Sequence, residues 1–336
     1  MQRISASGGA HRAPVLVQHG ITMDGMSWML NSPEESLPFI LVGKGFDVWF
    51  GNTRGTKWSR RHATLNSSSK EYWNWSWDEL VEYDFSATVG FVYGKTGQKL
   101  HYIGHSLGTL VALASLSEGK MVEKLRCAAL LSPIAYLNHM TGLIGVLGAF
   151  SFMGEAIALL GPEEFNVKLP KIMKWLTMTP FCHNRNTNCL EDLINIITGE
   201  NCCLDGMTME HFLRYEPQPT SMRNMEHLAQ ISRNGVLAKY NYGNPMQNMQ
   251  QYGMVTPPLY NLENISRNIS LFFSYGGKDC LSDTIDVTHL LEKLKNHDSD
   301  KLTVHFVKEF GHADFVMGTS VKENVYNALV TFLNHQ

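Results

Sequence analysis

The sequence predicts an α/β fold: a mostly parallel central sheet with helices on both faces and a long, mainly helical insertion between two of its strands. Strand-like runs rich in β-branched and aromatic residues alternate with helix-like segments, which is the first sign. A glycine-flanked serine stands between one such strand and the helix that follows, at Gly104-His105-Ser106-Leu107-Gly108. The alternation then lapses from about residue 135 to about residue 264 and resumes. A chain of 336 residues is long for one bare domain and too short for three. Residues 1-134 and 265-336 are therefore expected to form the core, and 135-264 an inserted cap subdomain.

The expected strands are Val15 to His19, Phe46 to Gly51, Leu100 to Gly104, Ala128 to Leu131, Ile269 to Tyr275 and Leu302 to Val307. Helices are expected after Ser76, where Ser76 and Glu79 have the spacing of a capping box, from Ser106 onward, over Asp283 to Leu294, and over Ser320 to Leu333. Within the insertion, Pro217, Pro219, Pro245, Pro257 and Pro258 break methionine-rich sequence into short amphipathic pieces. An insertion between sheet strands of such a fold is expected over the C-terminal edge of the sheet, where open α/β sheets bind ligands.

With 44% hydrophobic and 18% charged residues, the composition is that of a globular protein. A net charge of −3 without any long Lys or Arg run offers no phosphate-binding face, so nucleic acid is not an expected partner. The longest uncharged stretch, Cys127 to Gly154, has the length of a membrane span. Ser132-Pro133, Asn138-His139 and several glycines interrupt it, so it is read as a buried strand followed by groove lining, and no transmembrane segment is expected. Four of the six cysteines crowd between Cys182 and Cys203. Their spacing matches no zinc pattern, which leaves disulfides or separate thiols open. Met1-Gln2-Arg3-Ile4-Ser5 carries no signal-peptide pattern. Four N-x-S/T sequons, at Asn66, Asn74, Asn264 and Asn268, nevertheless favour the secretory route over the cytosol.

Gly-x-Ser-x-Gly between a strand and a helix is the sequence of a nucleophile elbow, in which Gly104 and Gly108 leave room for a tight turn that presents Ser106. A serine hydroxyl is a poor nucleophile at neutral pH, so a histidine must take its proton and an acid must orient that histidine. In the α/β-hydrolase fold the chain order is serine, acid, histidine. His312 follows the last strand in Phe310-Gly311-His312-Ala313-Asp314, and Asp279 follows the preceding strand after Gly276-Gly277-Lys278. Asp283 is expected to be a helix N-terminal charge, Asp286 a surface residue, Asp314 structural, and His101 and His105 structural or surface groups. The oxyanion of the tetrahedral intermediate needs two backbone N–H donors. Leu107 is expected to supply one and Ile21 the other, with His19, Gly20 and His105 supporting the elbow and oxyanion loop. No metal or organic cofactor is required.

These residues resemble those of the acid lipases, the family of gastric and lysosomal lipases with a large plant branch. The resemblance rests on Gln18-His19-Gly20, Gly51-Asn52-Thr53-Arg54-Gly55, Trp75-Ser76-Trp77-Asp78-Glu79, the elbow with Thr109, Gly276-Gly277-Lys278-Asp279 and His312-Ala313-Asp314-Phe315, in family order over essentially the whole chain. Leu107, where gastric members carry glutamine, and the run Tyr72-Trp73-Asn74-Trp75-Ser76-Trp77 look like the plant branch. The resemblance implies a cap with a mobile lid, transient contact with a lipid interface, and hydrolysis of triacylglycerol-like esters. It also implies an extracellular, vacuolar or lysosome-like destination, a disulfide between Cys182 and Cys189, and an acyl pocket lined from Met140 to Leu160. The same triad would equally suit an esterase or acyltransferase acting on a small soluble ester. A hydrolase-fold receptor without catalysis is the reading from another class.

Overall fold

A period of two in the strands fixes which side chains meet on each face of the sheet. The computed structural model describes residues 1–5, 12–141, 163–166 and 189–336. Its strands are β1 (Gln2–Ile4), β2 (Pro14–Gln18), β3 (Asp47–Phe50), β4 (Leu100–His105), β5 (Leu125–Leu131), β6 (Glu164–Phe165), β7 (Thr220–Ser221), β8 (Ser270–Gly276) and β9 (Leu302–Val307). Leu16, Trp49, Tyr102, Leu130 and Phe273 join one buried apolar cluster, and a chain neighbour of each, Val17, Phe50, Ile103, Leu131 and Phe272, joins the other. The central strands are therefore covered on both faces, as parallel strands require.

Seven strands pair in the order β1-β3-β2-β4-β5-β8-β9, and β6 pairs with β7 apart from them. All neighbours in the large sheet are parallel except β1 and β3. The longer helices are α1 (Leu37–Gly43), α2 (Phe85–Thr96), α3 (Leu107–Ser117), α4 (Cys189–Thr198), α5 (Gly206–Tyr215), α6 (Met222–Asn234), α7 (Pro245–Tyr252), α8 (Thr284–Lys293) and α9 (Asn327–Asn334). Residues of α2, α3 and α8 belong to the first cluster, and residues of α1 and α9 to the second.

Each strand expected from the sequence is present, and β1, β6 and β7 are additional. β5 starts three residues early because Arg126, which breaks the apolar run, lies on the exposed side and donates to the Lys99 and Gln336 carbonyls. β1 was not foreseen. It is held on the edge by register with β3 and by Arg3, whose guanidinium Nε lies 2.7 Å from the Asp47 carboxylate. The capping box forms as expected, with Ser76 N–H donating to Glu79 at 2.7 Å and Asp78 N–H to Ser76 Oγ at 3.1 Å. It opens a turn, Trp77–Glu79, that runs through a π-helical turn at Leu80–Asp84 into α2. Asp283 caps α8, as expected of a helix N-terminal charge. Asp286 departs from the expectation of a surface residue, because it is buried and accepts from His139 N–H at 3.0 Å, with His139 Nδ1 at 2.7 Å.

The chain between β5 and β8 rests on the core along the tryptophan run. Trp77 stacks on His227 at 4.1 Å and tilts against Tyr260 at 5.2 Å, and Ser221 Oγ donates to the Trp73 carbonyl. Asp78 accepts from Tyr240 N–H at 2.8 Å and from the Tyr260 hydroxyl at 2.7 Å. On the opposite flank, Glu216 accepts the Asp24 N–H at 3.1 Å.

Burial raises the pKa of Asp78 to about 6 in spite of those donors. Burial, reinforced by the neighbouring Asp24 charge, raises Glu216 to about 9. A carboxyl with a raised folded-state pKa holds its proton more tightly folded than unfolded. Its stabilising contribution is full below the unfolded pKa and is lost as pH climbs through the folded value. The melting temperature is accordingly expected to fall between about pH 4 and pH 6 as Asp78 ionises, and to keep falling toward about pH 9 through Glu216. Glu216→Gln should flatten the upper part of that decline in scanning calorimetry. A melting temperature that rises from pH 5 to pH 8 would contradict this assignment.

Candidate active site

Ser106 sits between the last residue of β4 and the first of α3, with φ of 54° and ψ of −119°. A left-handed backbone is strained for a serine and persists only where the surroundings over-determine it. Here Ser106 N–H donates to the Leu131 carbonyl of β5 at 3.1 Å, while its own carbonyl accepts from Thr109 N–H and Thr109 Oγ1. A Cβ on Gly104 would lie 2.9 Å from the Gly108 backbone, and one on Gly108 would lie 2.7 Å from the Gln18 carbonyl. Both glycines are required by close approach, as the elbow pattern implies.

Asp279 and His312 come together from separate loops at the same end of the sheet. His312 Nδ1 lies 3.0 and 2.9 Å from the two carboxylate oxygens of Asp279. The N–H groups of Leu281 and Ser282 donate to Asp279 Oδ1 at 2.9 and 2.8 Å. Burial alone would raise the Asp279 pKa. The facing His312 charge and these hydrogen bonds overcome it and hold the carboxyl below its ordinary value. An ionised partner at Nδ1 keeps the proton on that nitrogen and leaves Nε2 as the basic atom of the neutral ring. His312 Nε2 is buried and has no hydrogen-bond partner among the described residues.

The chain bends at Gly277 and Lys278, yet neither Gly276 nor Gly277 has a positive φ, so what calls for glycine here is space. A Cβ on them would lie 2.1 Å from the Phe310 carbonyl and 2.3 Å from the Lys308 carbonyl, so they let the acid loop press against the loop that carries His312. The contact is sealed by Gly277 N–H to the Val307 carbonyl and Lys278 N–H to the Phe310 carbonyl, each at 3.0 Å.

The loop after β2 approaches the serine closely: a Cβ on Gly20 would lie 3.4 Å from Ser106 Oγ. His19 Nε2 accepts Thr53 N–H at 3.0 Å, so the ring proton resides on Nδ1, which donates to the Gly20 carbonyl at 2.8 Å. Burial lowers the His19 pKa to about 4 and keeps that imidazole neutral. In a trans peptide the C=O and the following N–H point in opposite directions, so His19, by fixing the Gly20 carbonyl, also fixes the direction of the Ile21 N–H. Neither the Ile21 nor the Leu107 N–H donates to an acceptor among the described residues. His105 is buried, its Nε2 donates to the His312 carbonyl at 3.1 Å, and burial followed by the His312 charge lowers its pKa to about 3.

Thr53, Arg54 and Asp84 have roles that were not assigned from the sequence, although Gly51-Asn52-Thr53-Arg54-Gly55 stood out there. Arg54 is paired with Asp84 of the π-helical turn through its Nε and Nη2, at 2.9 and 2.7 Å, and through its backbone N–H. That pair secures the loop whose Thr53 N–H sets the His19 tautomer.

Cys202 and Cys203, adjacent in sequence, are joined to each other by a disulfide, and Cys127 and Cys280 are free thiols. Asp314 is structural, as expected, accepting the N–H groups of Gly311, Cys202 and Cys203. The expected Cys182–Cys189 pairing lies outside the described residues, as does the expected acyl lining beyond Thr141.

The fold and the strand-serine-helix site define the class, and the sequence matches it directly: residues 13–316 fit the family model described as alpha/beta hydrolase fold, and the chain belongs to that family. Within it the chain belongs to the acid lipases and is a serine ester hydrolase. It is 51% identical to triacylglycerol lipase 2 of Arabidopsis thaliana, over 98% of this chain and 78% of that protein. It is 38% identical to triacylglycerol lipase 1 of the same plant, over 99% and 83%. Human gastric triacylglycerol lipase is 33% identical, over 98% and 81%. Among solved structures, a soluble variant of the monoglyceride lipase of Saccharomyces cerevisiae shares the fold with a TM-score of 0.58 at 14% identity, covering 99% of this chain and 89% of that one. An open-form lipase aligns with a TM-score of 0.59 at 16% identity, over 99% and 93%. No helix among the described residues is long and apolar enough to cross a membrane.

Because Gly108 is packed against the Gln18 and His19 carbonyls, Gly108→Ala is expected to destabilise the fold by about 1–3 kcal/mol, the usual cost of overpacking. Denaturant unfolding measures this. Wild-type stability in that variant would show that the elbow has room the geometry denies it.

Proposed function

We propose that this chain hydrolyses neutral lipid esters of the triacylglycerol kind, with Ser106 as nucleophile, His312 as general base and acid, and Asp279 as the residue that orients the histidine. The observation that carries this reading is the buried, ionised Asp279 on His312 Nδ1, with His312 Nε2 left unpartnered among the described residues, in the same molecule as a serine on a strained elbow.

Ser106 Oγ attacks the ester carbonyl while His312 Nε2 takes its proton. The carbonyl oxygen becomes an oxyanion held by the N–H groups of Ile21 and Leu107. When the tetrahedral intermediate collapses, the bond to the leaving alcohol breaks and His312 returns the proton to that alcohol. Water, deprotonated by His312, then attacks the acyl-serine, and the fatty acid leaves as Ser106 regains its proton. All of these groups belong to the chain itself, so the cycle calls for no cofactor.

The substrate class follows from the relatives, the first two of which are named triacylglycerol lipases. Residues 135–264 act in this reading as the cap that selects the acyl chain and contacts the lipid interface. The side chains of the sequon asparagines Asn66, Asn74, Asn264 and Asn268 belong to exposed residues, which supports glycosylation and the secretory route. Expressed through a eukaryotic secretory pathway, the protein should lose mass on treatment with an N-glycosidase. Unchanged mass would count against that route.

Ser106→Ala is expected to lower kcat on emulsified long-chain triacylglycerol by more than about 10³-fold and to abolish labelling by a fluorophosphonate probe. Wild type should prefer the emulsified ester over a short-chain soluble one. Equal saturation on the soluble ester with no interfacial preference would replace the lipase reading with that of a soluble esterase. A folded wild type that the probe does not label would leave no active serine at all.

A further inference from the structure

We propose that Asn201 is a positioning residue for the reaction: from the chain between β5 and β8 it fixes the loop that carries His312. The proposal rests on the reading of His312 as the base.

Four consecutive backbone N–H groups, from Gly311 to Asp314, are each held, and three of them are held by residues 198 to 201. His312 N–H donates to the Thr198 carbonyl at 3.0 Å. Ala313 and Asp314 N–H both donate to Asn201 Oδ1, at 3.0 and 3.2 Å. Gly311 N–H donates to the Asp314 carboxylate at 2.8 Å, and that carboxylate is in turn capped by the N–H groups of Cys202 and Cys203. The same short segment reaches the acid loop, since Gly199 and Asp279 form an antiparallel bridge. One stretch of the insertion is thus tied to both loops of the triad.

Asn201 is suited to this by the two sides of its amide. Backbone N–H groups can only donate, so the atom facing Ala313 and Asp314 must be the oxygen. The nitrogen then faces acceptors alone: Asn195 Oδ1 and Thr198 Oγ1 at 2.8 Å and the Gly199 carbonyl at 2.9 Å. Asn201 is buried, and a Cβ on Gly311 would stand 2.7 Å from its Oδ1, so neither group can drift without the other. An alanine at this position would leave two buried N–H groups without an acceptor exactly where the histidine ring begins its reach toward Asp279. The neutral acid form of aspartate would keep an acceptor for those N–H groups and a donor for the opposite side. Its carboxylate would instead face three acceptors.

The test compares Asn201→Ala, Asn201→Asp and His312→Ala in the full chain, well below each melting temperature. Asn201→Ala should lower kcat and the rate of fluorophosphonate labelling by roughly 10- to 100-fold with little change in KM, the size of effect that misplacing a reacting group by an ångström produces. The low-field proton resonance of the His312–Asp279 hydrogen bond should shift or broaden in the same variant. Asn201→Asp should recover much of the rate at acidic pH and lose it again as pH rises, a profile that a purely structural role would not give. If Asn201→Ala does not fold, the pH profile of Asn201→Asp decides the matter. Wild-type labelling and an unmoved resonance in Asn201→Ala, with His312→Ala silent, would overturn the positioning role alone. Wild-type labelling of His312→Ala would overturn the triad reading, and this proposal with it.

Discussion

Burying an ionised carboxylate costs several kcal/mol unless charge and hydrogen bonds replace the lost water, and Asp279 is buried yet held below its ordinary pKa. The compensation comes from two loops. The loop after β8 turns back so that Leu281 and Ser282 present their N–H groups, and the loop after β9 brings His312 within 2.9 Å. Gly276 and Gly277 let those two loops touch. Without that compensation the acid would take up a proton and could no longer fix which nitrogen of His312 is basic. The parallel order of β4, β5, β8 and β9 matters to the site for this reason, since it delivers the serine, the acid and the histidine to one edge of the sheet.

The seam between the core and the chain from β5 to β8 follows the opposite electrostatic logic. Asp78, Glu216 and Asp314 all lie on it, and in each burial outweighs the donors and raises the pKa, to about 6, 9 and 6. These carboxyls lack what Asp279 has, a basic ring directly against the carboxylate. Of these four acids, Asp279 is kept charged by pairing and the other three are left to be neutral in acid. Acidic surroundings favour the seam while leaving the Asp279 pair intact, because the Asp279 pKa lies on the low side of normal.

Much of this was legible in the sequence because it is local or periodic. Runs of β-branched and aromatic residues located six strands, and the glycines of the elbow, the order of Ser106, Asp279 and His312, and the Ser76–Glu79 capping box each have a signature readable along the chain. What escaped depends on contacts made across the chain. β1 has no strand signal of its own and exists through its register with β3. Asp286 looks like an exposed helix charge until His139 covers it. Gly276 and Gly277 suggest a turn, and only the position of Phe310 and Lys308 reveals that they serve close packing. Asn201 carries no motif, because an amide that accepts two N–H groups from residues 112 and 113 positions away cannot be recognised before the loops meet.

Two remote supports, one on the loop after β2 and one on the loop that carries His312, are built alike. On the loop after β2, Asp84 holds Arg54, the adjacent Thr53 N–H sets the His19 tautomer, and His19 fixes the Gly20 carbonyl. On the histidine side, Asn195 and Thr198 hold the Asn201 amide nitrogen, and its oxygen fixes two N–H groups beyond His312. In both, a side chain with one donating and one accepting end converts a distant anchor into a fixed backbone direction. Such relays suit a reaction whose charge develops at an oxygen, because groups already aligned need no reorganisation as the charge forms. They also come from different stretches of the chain: residues before β4 orient the loop beside Ser106, and residues between β5 and β8 orient the loop that bears His312. Movement of the insertion would therefore be felt at His312 before it was felt at Ser106, which is anchored on β5 through the Leu131 carbonyl.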